Sequence, residues 1–240
     1  MIGPELTKLS MTGLPRATAM LQVDVIADLV CPWIYLGKKR LDDALSAVHG
    51  PSMATWYPHQ LNPNMPLSGQ PFEEYAQSKF GDPKALQPAM DQLVMSGKAE
   101  GIDFRLDRIT NVPNTLNAHR LMNLAESQSA DTSRLAESIL QGFFSAGLDI
   151  SNPDVLAELG IKVGLGLNEI LSTLEDDRSR KIVLSQEGQV RQSGITSIPD
   201  FLINKRLLVI GAQQTENLVN VFDRVMFGVE SDLPTSEIIH

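Results

Sequence analysis

The run Leu21-Gln-Val-Asp-Val-Ile-Ala-Asp-Leu-Val30 feeds straight into Cys31-Pro32, and no other stretch constrains the fold of this chain as much. The run is apolar and strand-like. Pro32-Trp-Ile-Tyr-Leu-Gly-Lys-Lys-Arg-Leu41 reads as a helix, with proline in the first helical position, where a missing N–H costs nothing. Cys31, the only cysteine, therefore stands at a helix N-terminus, facing unpaired N–H groups and the positive end of the helix dipole. Both favour thiolate over thiol, and comparable sites have pKa values from about 7.5 down to about 3.5. The plainer alternative is a buried cysteine packed as a small hydrophobe.

The 240 residues suit one large domain, or a core domain with a sizeable insertion. A formal net charge of −9 argues against a general polyanion-binding surface, so no nucleic-acid partner is expected. No apolar run approaches the roughly 20 residues that a bilayer crossing needs, so no membrane association is expected. Met1 to Met20 carries Pro4, Glu5, Gly13 and Pro15, lacks an apolar stretch of signal-peptide length and reads as a frayed leader. A single cysteine excludes an internal disulfide, and the expected location is cytoplasmic.

The first strand, about 21–30, and a helix from Pro32 to about Val48 form a β-α unit closed by His49-Gly50-Pro51. Met53 to Leu61 reads as a second strand, followed by the loop Asn62-Pro-Asn-Met-Pro-Leu-Ser-Gly69. From Phe72 to Gln192 the spacing is helical. One helix is marked by Leu116, Leu121 and Ala125, another by Leu135, Ile139 and Phe143, and a third starts at Asn152-Pro153. Leu167 to Leu174, with Asn168 as N-cap, and Asp177 to Ser193 give two more. Strand character returns at Asp200–Asn204 and Leu207–Ile210, with a turn at Asn204-Lys205-Arg206, before a closing helix from about Thr215 to Phe227. The order β-α-β, helices, β-β-α implies an α/β core with a lid-like helical subdomain.

That order, with Cys31 and Ile198-Pro199, resembles the thioredoxin fold with a helical insertion, as in DsbA-like oxidoreductases. Six segments in family order resemble the FrnE-like branch, the sister of the kappa-class glutathione transferases and 2-hydroxychromene-2-carboxylate isomerases. They are Asp28–Gly37, Gln60–Pro66, Gly101–Phe104, Pro113–Leu121, Ser197–Phe201 and Gly211–Gln213. The resemblance covers about residues 21–227. It implies a thioredoxin-like domain from 1–67 and 193–240, and a helical insertion subdomain from 68–192. The family motif is Cys-Pro-Trp-Cys, and Ile34 replaces its second cysteine. A dithiol enzyme resolves a mixed disulfide with that second sulfur, which Ile34 cannot do.

The resemblance implies that Cys31 is the reactive thiol and that Ile198-Pro199 is a cis peptide beside it, where a peptide or glutathione cysteine pairs with the Ile198 backbone. Trp33 and Ile34, after Pro32, would shape the apolar cleft. Gly211-Ala212-Gln213 precedes the last helix, whose N-terminus would hold a glutathione carboxylate; a simple cap with Thr215 is the alternative. Asn114 would face the cleft and bind a ligand. His119 is a proton-transfer candidate, or a packed helix residue. Asp28 would either cap the turn before the helix or oppose thiolate by like charge. His49, His59 and His240 are scattered, and no metal-ligand spacing or nucleotide loop occurs. The nine methionines suit core filling, and Lys38-Lys39-Arg40 reads as a solvated face.

The chain is thus expected to be a one-cysteine thiol-disulfide oxidoreductase, with no bound cofactor and glutathione as external thiol. A glutathione-dependent isomerase or transferase, or a binding module without catalysis, are the alternatives. A small-molecule or protein thiol is the expected partner, and a homodimer is possible.

Overall fold

The computed structural model describes residues 20–81 and 86–227, together with the backbone of 237–239. The leader before Met20, and His240, lie outside the described residues. Strand β1 (Leu21–Ala27) leads to α1 (Pro32–Ala47) and β2 (Ser52–Pro58). Next come a short strand β3 (Gln70–Pro71), α2 (Phe72–Phe80), α3 (Gln87–Ala99), a 3-10 turn (Leu106–Arg108) and β4 (Asn111–Val112). Helices α4 (Leu116–Ser127), α5 (Thr132–Phe144), α6 (Pro153–Ile161), α7 (Leu167–Glu175) and α8 (Asp177–Gln192) follow. The chain closes with β5 (Asp200–Ile203), β6 (Leu207–Ile210), α9 (Thr215–Phe227) and β7 (Glu237–Ile239).

The main sheet has the order β2-β1-β5-β6-β7. Strand β1 is parallel to β2 and antiparallel to β5, so the β1-α1-β2 unit is a crossover in one sheet. Its central place explains the nearly continuous burial of β1, where only Gln22 is exposed. Hairpin β5–β6 turns through Asn204 and Lys205, both with left-handed backbone (φ 47° and 58°). The Asn204 side chain accepts the Gln22 N–H at 2.8 Å and so ties the turn to β1.

Two short pairings escaped the sequence pattern. Strands β3 and β4 form a separate two-stranded sheet, and β7 adds to β6 in parallel. The first strand ends at Ala27 rather than Val30, because Cys31 N–H turns back to the Asp28 carbonyl at 2.9 Å. The second strand ends at Pro58 rather than Leu61. Asn168 is not the cap of α7; Gly166 occupies that position, and Asn168 lies inside the helix. Thr215 is already helical, and the Gln214 carbonyl accepts the Leu218 N–H at 3.2 Å.

Helix α1 packs along α9 and also touches α3 and α5. Its Tyr35 ring lies 5.6 Å from Phe104 and 6.3 Å from Phe144, which contact each other at 5.6 Å. This aromatic cluster binds the Cys31 helix to the end of α5. The triplet Lys38-Lys39-Arg40 is not a solvated face. Only Lys39 is exposed, while Lys38 and Arg40 are buried against acidic partners from other elements. Lys38 reaches Glu137 at 2.9 Å, and Arg40 reaches Glu100 at 2.5 Å. Two buried cations on one helix are tolerable because each meets a carboxylate.

Candidate active site

Cys31 occupies the N-cap of α1 with extended backbone (φ −88°, ψ 116°), ahead of Pro32. The N–H groups of Ile34 and Trp33 favour its thiolate, as the helix position predicts. Burial outweighs them. The residue is only 4% exposed, and desolvation, with a smaller push from the Asp28 charge, drives its pKa up to about 11. The expectation of a thiolate at neutral pH is therefore corrected for the unliganded protein, because the packing around the sulfur costs the charged form more than two N–H groups return.

The Ile198–Pro199 peptide is cis. Gly37, in the second turn of α1, brings this loop against the helix. A Cβ built there would stand 3.3 Å from Pro199 Cγ, 3.3 Å from Phe201 Cζ and 3.5 Å from Ala212 Cβ. The Gly211 N–H donates to the Pro199 carbonyl at 2.7 Å, which ties the two loops together. The Arg40 guanidinium donates to the Ala212 carbonyl at 2.6 Å, and Gln213 turns its amide back to the Ile210 carbonyl at 2.8 Å. Asp200, which follows the proline, is buried and accepts from Ser197 Oγ; burial raises its pKa to about 6.

Asp28 does not cap α1. Its carboxylate points inward, accepting the Leu61 N–H at 2.6 Å, with His119 Nε2 3.4 Å from its other oxygen. That oxygen and His119 Nε2 lack a hydrogen-bond partner among the described residues, as do the neighbouring His59 Nδ1 and Gln60 Nε2. Gln60 is clamped from α8 by its N–H donating to Glu187 at 2.8 Å, while its carbonyl accepts from Arg191 at 2.6 Å. Burial and the Arg191 charge lower the His59 pKa. His59, passed over in the sequence as a strand residue, thus belongs to a buried polar layer with Asp28 and His119. No spacing rule finds it, because its neighbours come from three separate elements.

Asn114 has both ends of its amide engaged within the chain. Nδ2 donates to the Met65 carbonyl at 2.7 Å, and Oδ1 accepts the Leu116 N–H at 2.9 Å. Trp33 is 36% exposed, whereas Ile34 is fully buried and belongs to the core rather than to an open cleft wall. Beside the cysteine, Val30 and Pro32 open onto an apolar chamber lined also by α2, α3 and the end of α5. Among the described residues, no group of His, Cys, Asp and Glu suits a metal ion, and no helix is long and apolar enough to cross a membrane.

A model of the DSBA-like thioredoxin domain matches residues 22–223. The chain belongs to the DsbA-like thioredoxin family. Its fold is accordingly thioredoxin-like, with a mixed sheet and α4–α8 inserted. A probable DsbA oxidoreductase from Streptomyces coelicolor superposes with a TM-score of 0.78 at 26% identity, over 89% of this chain and 93% of that one. The cytosolic disulfide reductase DsbM of Pseudomonas aeruginosa, solved with GSH, gives a TM-score of 0.62 at 17% identity, over 85% and 98%. A 2-hydroxychromene-2-carboxylate isomerase gives 0.64 at 14%, over 85% and 95%. Within this DsbA-like frame the chain keeps Cys31 and the cis proline and has Ile34 in the second motif position.

Proposed function

We propose that the chain is a cytoplasmic thiol-disulfide exchange enzyme of the FrnE-like branch, working through Cys31 alone with glutathione as its external thiol. The observation that carries this reading is the placement of Cys31 at the N-cap of α1, with the Ile34 and Trp33 N–H groups on its sulfur. The same helix packs on the cis-proline loop at Gly37. In the forward step, the Cys31 sulfur attacks one sulfur of a disulfide R–S–S–R′. The Cys31–S–S–R bond forms, the old S–S bond breaks, and the thiol proton ends on the departing R′S group. With Ile34 next in the motif, glutathione attacks the mixed disulfide and frees Cys31. The structure of DsbM with GSH supports glutathione as the thiol to test. Incubating the reduced protein with oxidised glutathione should add one glutathione to the intact mass, and Cys31→Ser should add none. An unmodified wild-type mass under native conditions would sink the reading.

A second reading rests on the raised thiol pKa. A Cys31 that stays protonated at neutral pH is a hydrogen-bond donor suited to stabilising the sulfur of a bound glutathione. This is isomerase or transferase chemistry, and the likeness to the carboxylate isomerase fold gives it a precedent to test. Cys31→Ser separates the two, since a serine keeps the donor but cannot form a mixed disulfide.

A further inference from the structure

We propose that Asp200 is a positioning residue for thiol exchange: its carboxylate draws on Ser197 and Gly211 to hold the Ile198–Pro199 loop, and so presents the free Ile198 backbone to an extended peptide disulfide such as oxidised glutathione. This deepens the thiol-exchange reading and rests on it. Asp200 is the first residue of β5 and is only 1% exposed. Its carboxylate accepts from the Ser197 hydroxyl, with the two oxygens 3.2 and 3.0 Å from Oγ. That bond closes a ring over Ile198 and Pro199, while the Gly211 N–H holds the Pro199 carbonyl at 2.7 Å. The two residues are thereby pinned at both ends.

The pinned segment leaves one residue's backbone open. Among the described residues no hydrogen bond engages the Ile198 N–H or carbonyl, and Ser197 beside it is exposed. A free donor and a free acceptor on one residue suit the backbone of an extended ligand, as in strand addition. Pro199 lies against Gly37, six residues along α1 from Cys31, a rise of about 9 Å. Three extended residues span at most about 10–11 Å, so a tripeptide with its sulfur on Cys31 is long enough to meet Ile198.

Burial works against the charge of this brace, and among the described residues no cation offsets it. The register partners of Asp200 are Ile26 of β1 and Ile210 of β6. On the same face of the sheet Asp24 pairs with Lys205, while Glu187 and Arg191 of α8 engage each other and Gln60. What favours the charge is the two donors, the Ser197 hydroxyl and the Gly211 N–H, against a desolvation that brings the pKa to about 6. An ionised acceptor makes roughly twice the hydrogen bond of a neutral one. The brace is therefore tight above pH 6 and slack below it, although the protonated carboxyl gives the more stable fold. Substrate capture and stability run in opposite directions with pH, which a purely structural role would not produce.

The test compares the full wild-type chain with Asp200→Asn and Ser197→Ala between about pH 5 and pH 8, with thermal melting to confirm that each variant folds. Oxidised glutathione gives one half to Cys31, and the other half leaves as a thiol carrying the Cys31 proton. The wild-type rate divided by the Asp200→Asn rate should rise from near one at the acid end to about threefold to tenfold at the alkaline end, the difference between charge-assisted and neutral hydrogen bonds. Titration of Cys31 itself cancels in that ratio. The midpoint should lie near pH 6, and Ser197→Ala should move it upward by removing one donor to the charge. With iodoacetamide, too short to span from the sulfur to Ile198, the ratio should stay flat. Hydrogen exchange of the Gly211 amide near neutral pH should be quicker in Asp200→Asn than in wild type. An equal rise with iodoacetamide, or unchanged exchange at Gly211, overturns the proposal. A flat ratio on a protein that does take up glutathione sinks this role alone. No adduct on the wild-type protein at any pH sinks the thiol-exchange reading and the role with it.

Discussion

A Cβ on Gly37 would stand 3.3 Å from Pro199 Cγ, so α1 lies against the proline loop because position 37 carries no side chain. The same missing atom spares Phe201 and Ala212. One residue thus sets how closely the Cys31 helix approaches both loops of the candidate site.

Gly37→Ala should cost about 1–2 kcal/mol, the overpacking penalty less the gain in helix propensity. Gly37→Val should cost more. Urea denaturation midpoints measure the stability, and the rate of glutathione addition to Cys31 measures the site. An alanine variant as stable and as reactive as wild type would show that the neighbours yield freely.

Asp28→Asn should lower the Cys31 pKa, since the Asp28 charge is one of the forces raising it. The amide oxygen can still accept the Leu61 N–H. Alkylation by iodoacetamide at neutral pH should accelerate a few-fold, short of the roughly tenfold that a full pKa unit gives, because burial of the sulfur remains the larger force. The pH profile of the alkylation rate checks it. A slower reaction would mean that Asp28 acts as a base toward the thiol rather than as a repelling charge.

Asp200 should make stability fall across mildly acidic pH. Its folded pKa, about 6, lies above the ordinary 3.8, so the folded protein holds the proton more tightly. Its contribution is complete below about pH 4 and is lost as pH rises toward 6. Asp200→Asn should remove this slope, worth on the order of 1–2 kcal/mol after solvent screening, while still accepting from Ser197. Denaturant titrations of both proteins at pH 4 and pH 7 give the difference.

Arg40→Met should destabilise the protein by about 3–5 kcal/mol, because it strands the part-buried Glu100 and frees the Ala212 carbonyl. Adding Glu100→Gln should restore part of the loss. Hydrogen exchange at 211–214 should quicken in the single variant; unchanged protection there would separate the ion pair from the loop.

Local chemistry in the sequence determined the β-α junction at Cys31, most helix positions and the β5–β6 turn. Apolar periodicity, Pro32 and the Asn204-Lys205 pair act within a few residues of themselves. The six family segments gave the thioredoxin-like order, and Ile34 in the motif ruled out an internal disulfide. Only tertiary packing decided whether the sulfur is charged, since desolvation depends on what covers Cys31 and not on its place before a helix. It also decided that Lys38 and Arg40 are buried, because Glu137, Glu100 and the Ala212 carbonyl arrive from distant segments. The turn of Asp28 toward His119, and the apolar chamber that Val30 and Pro32 share with α2 and α3, have the same origin. Their partners lie scores of residues apart, where no spacing rule connects them.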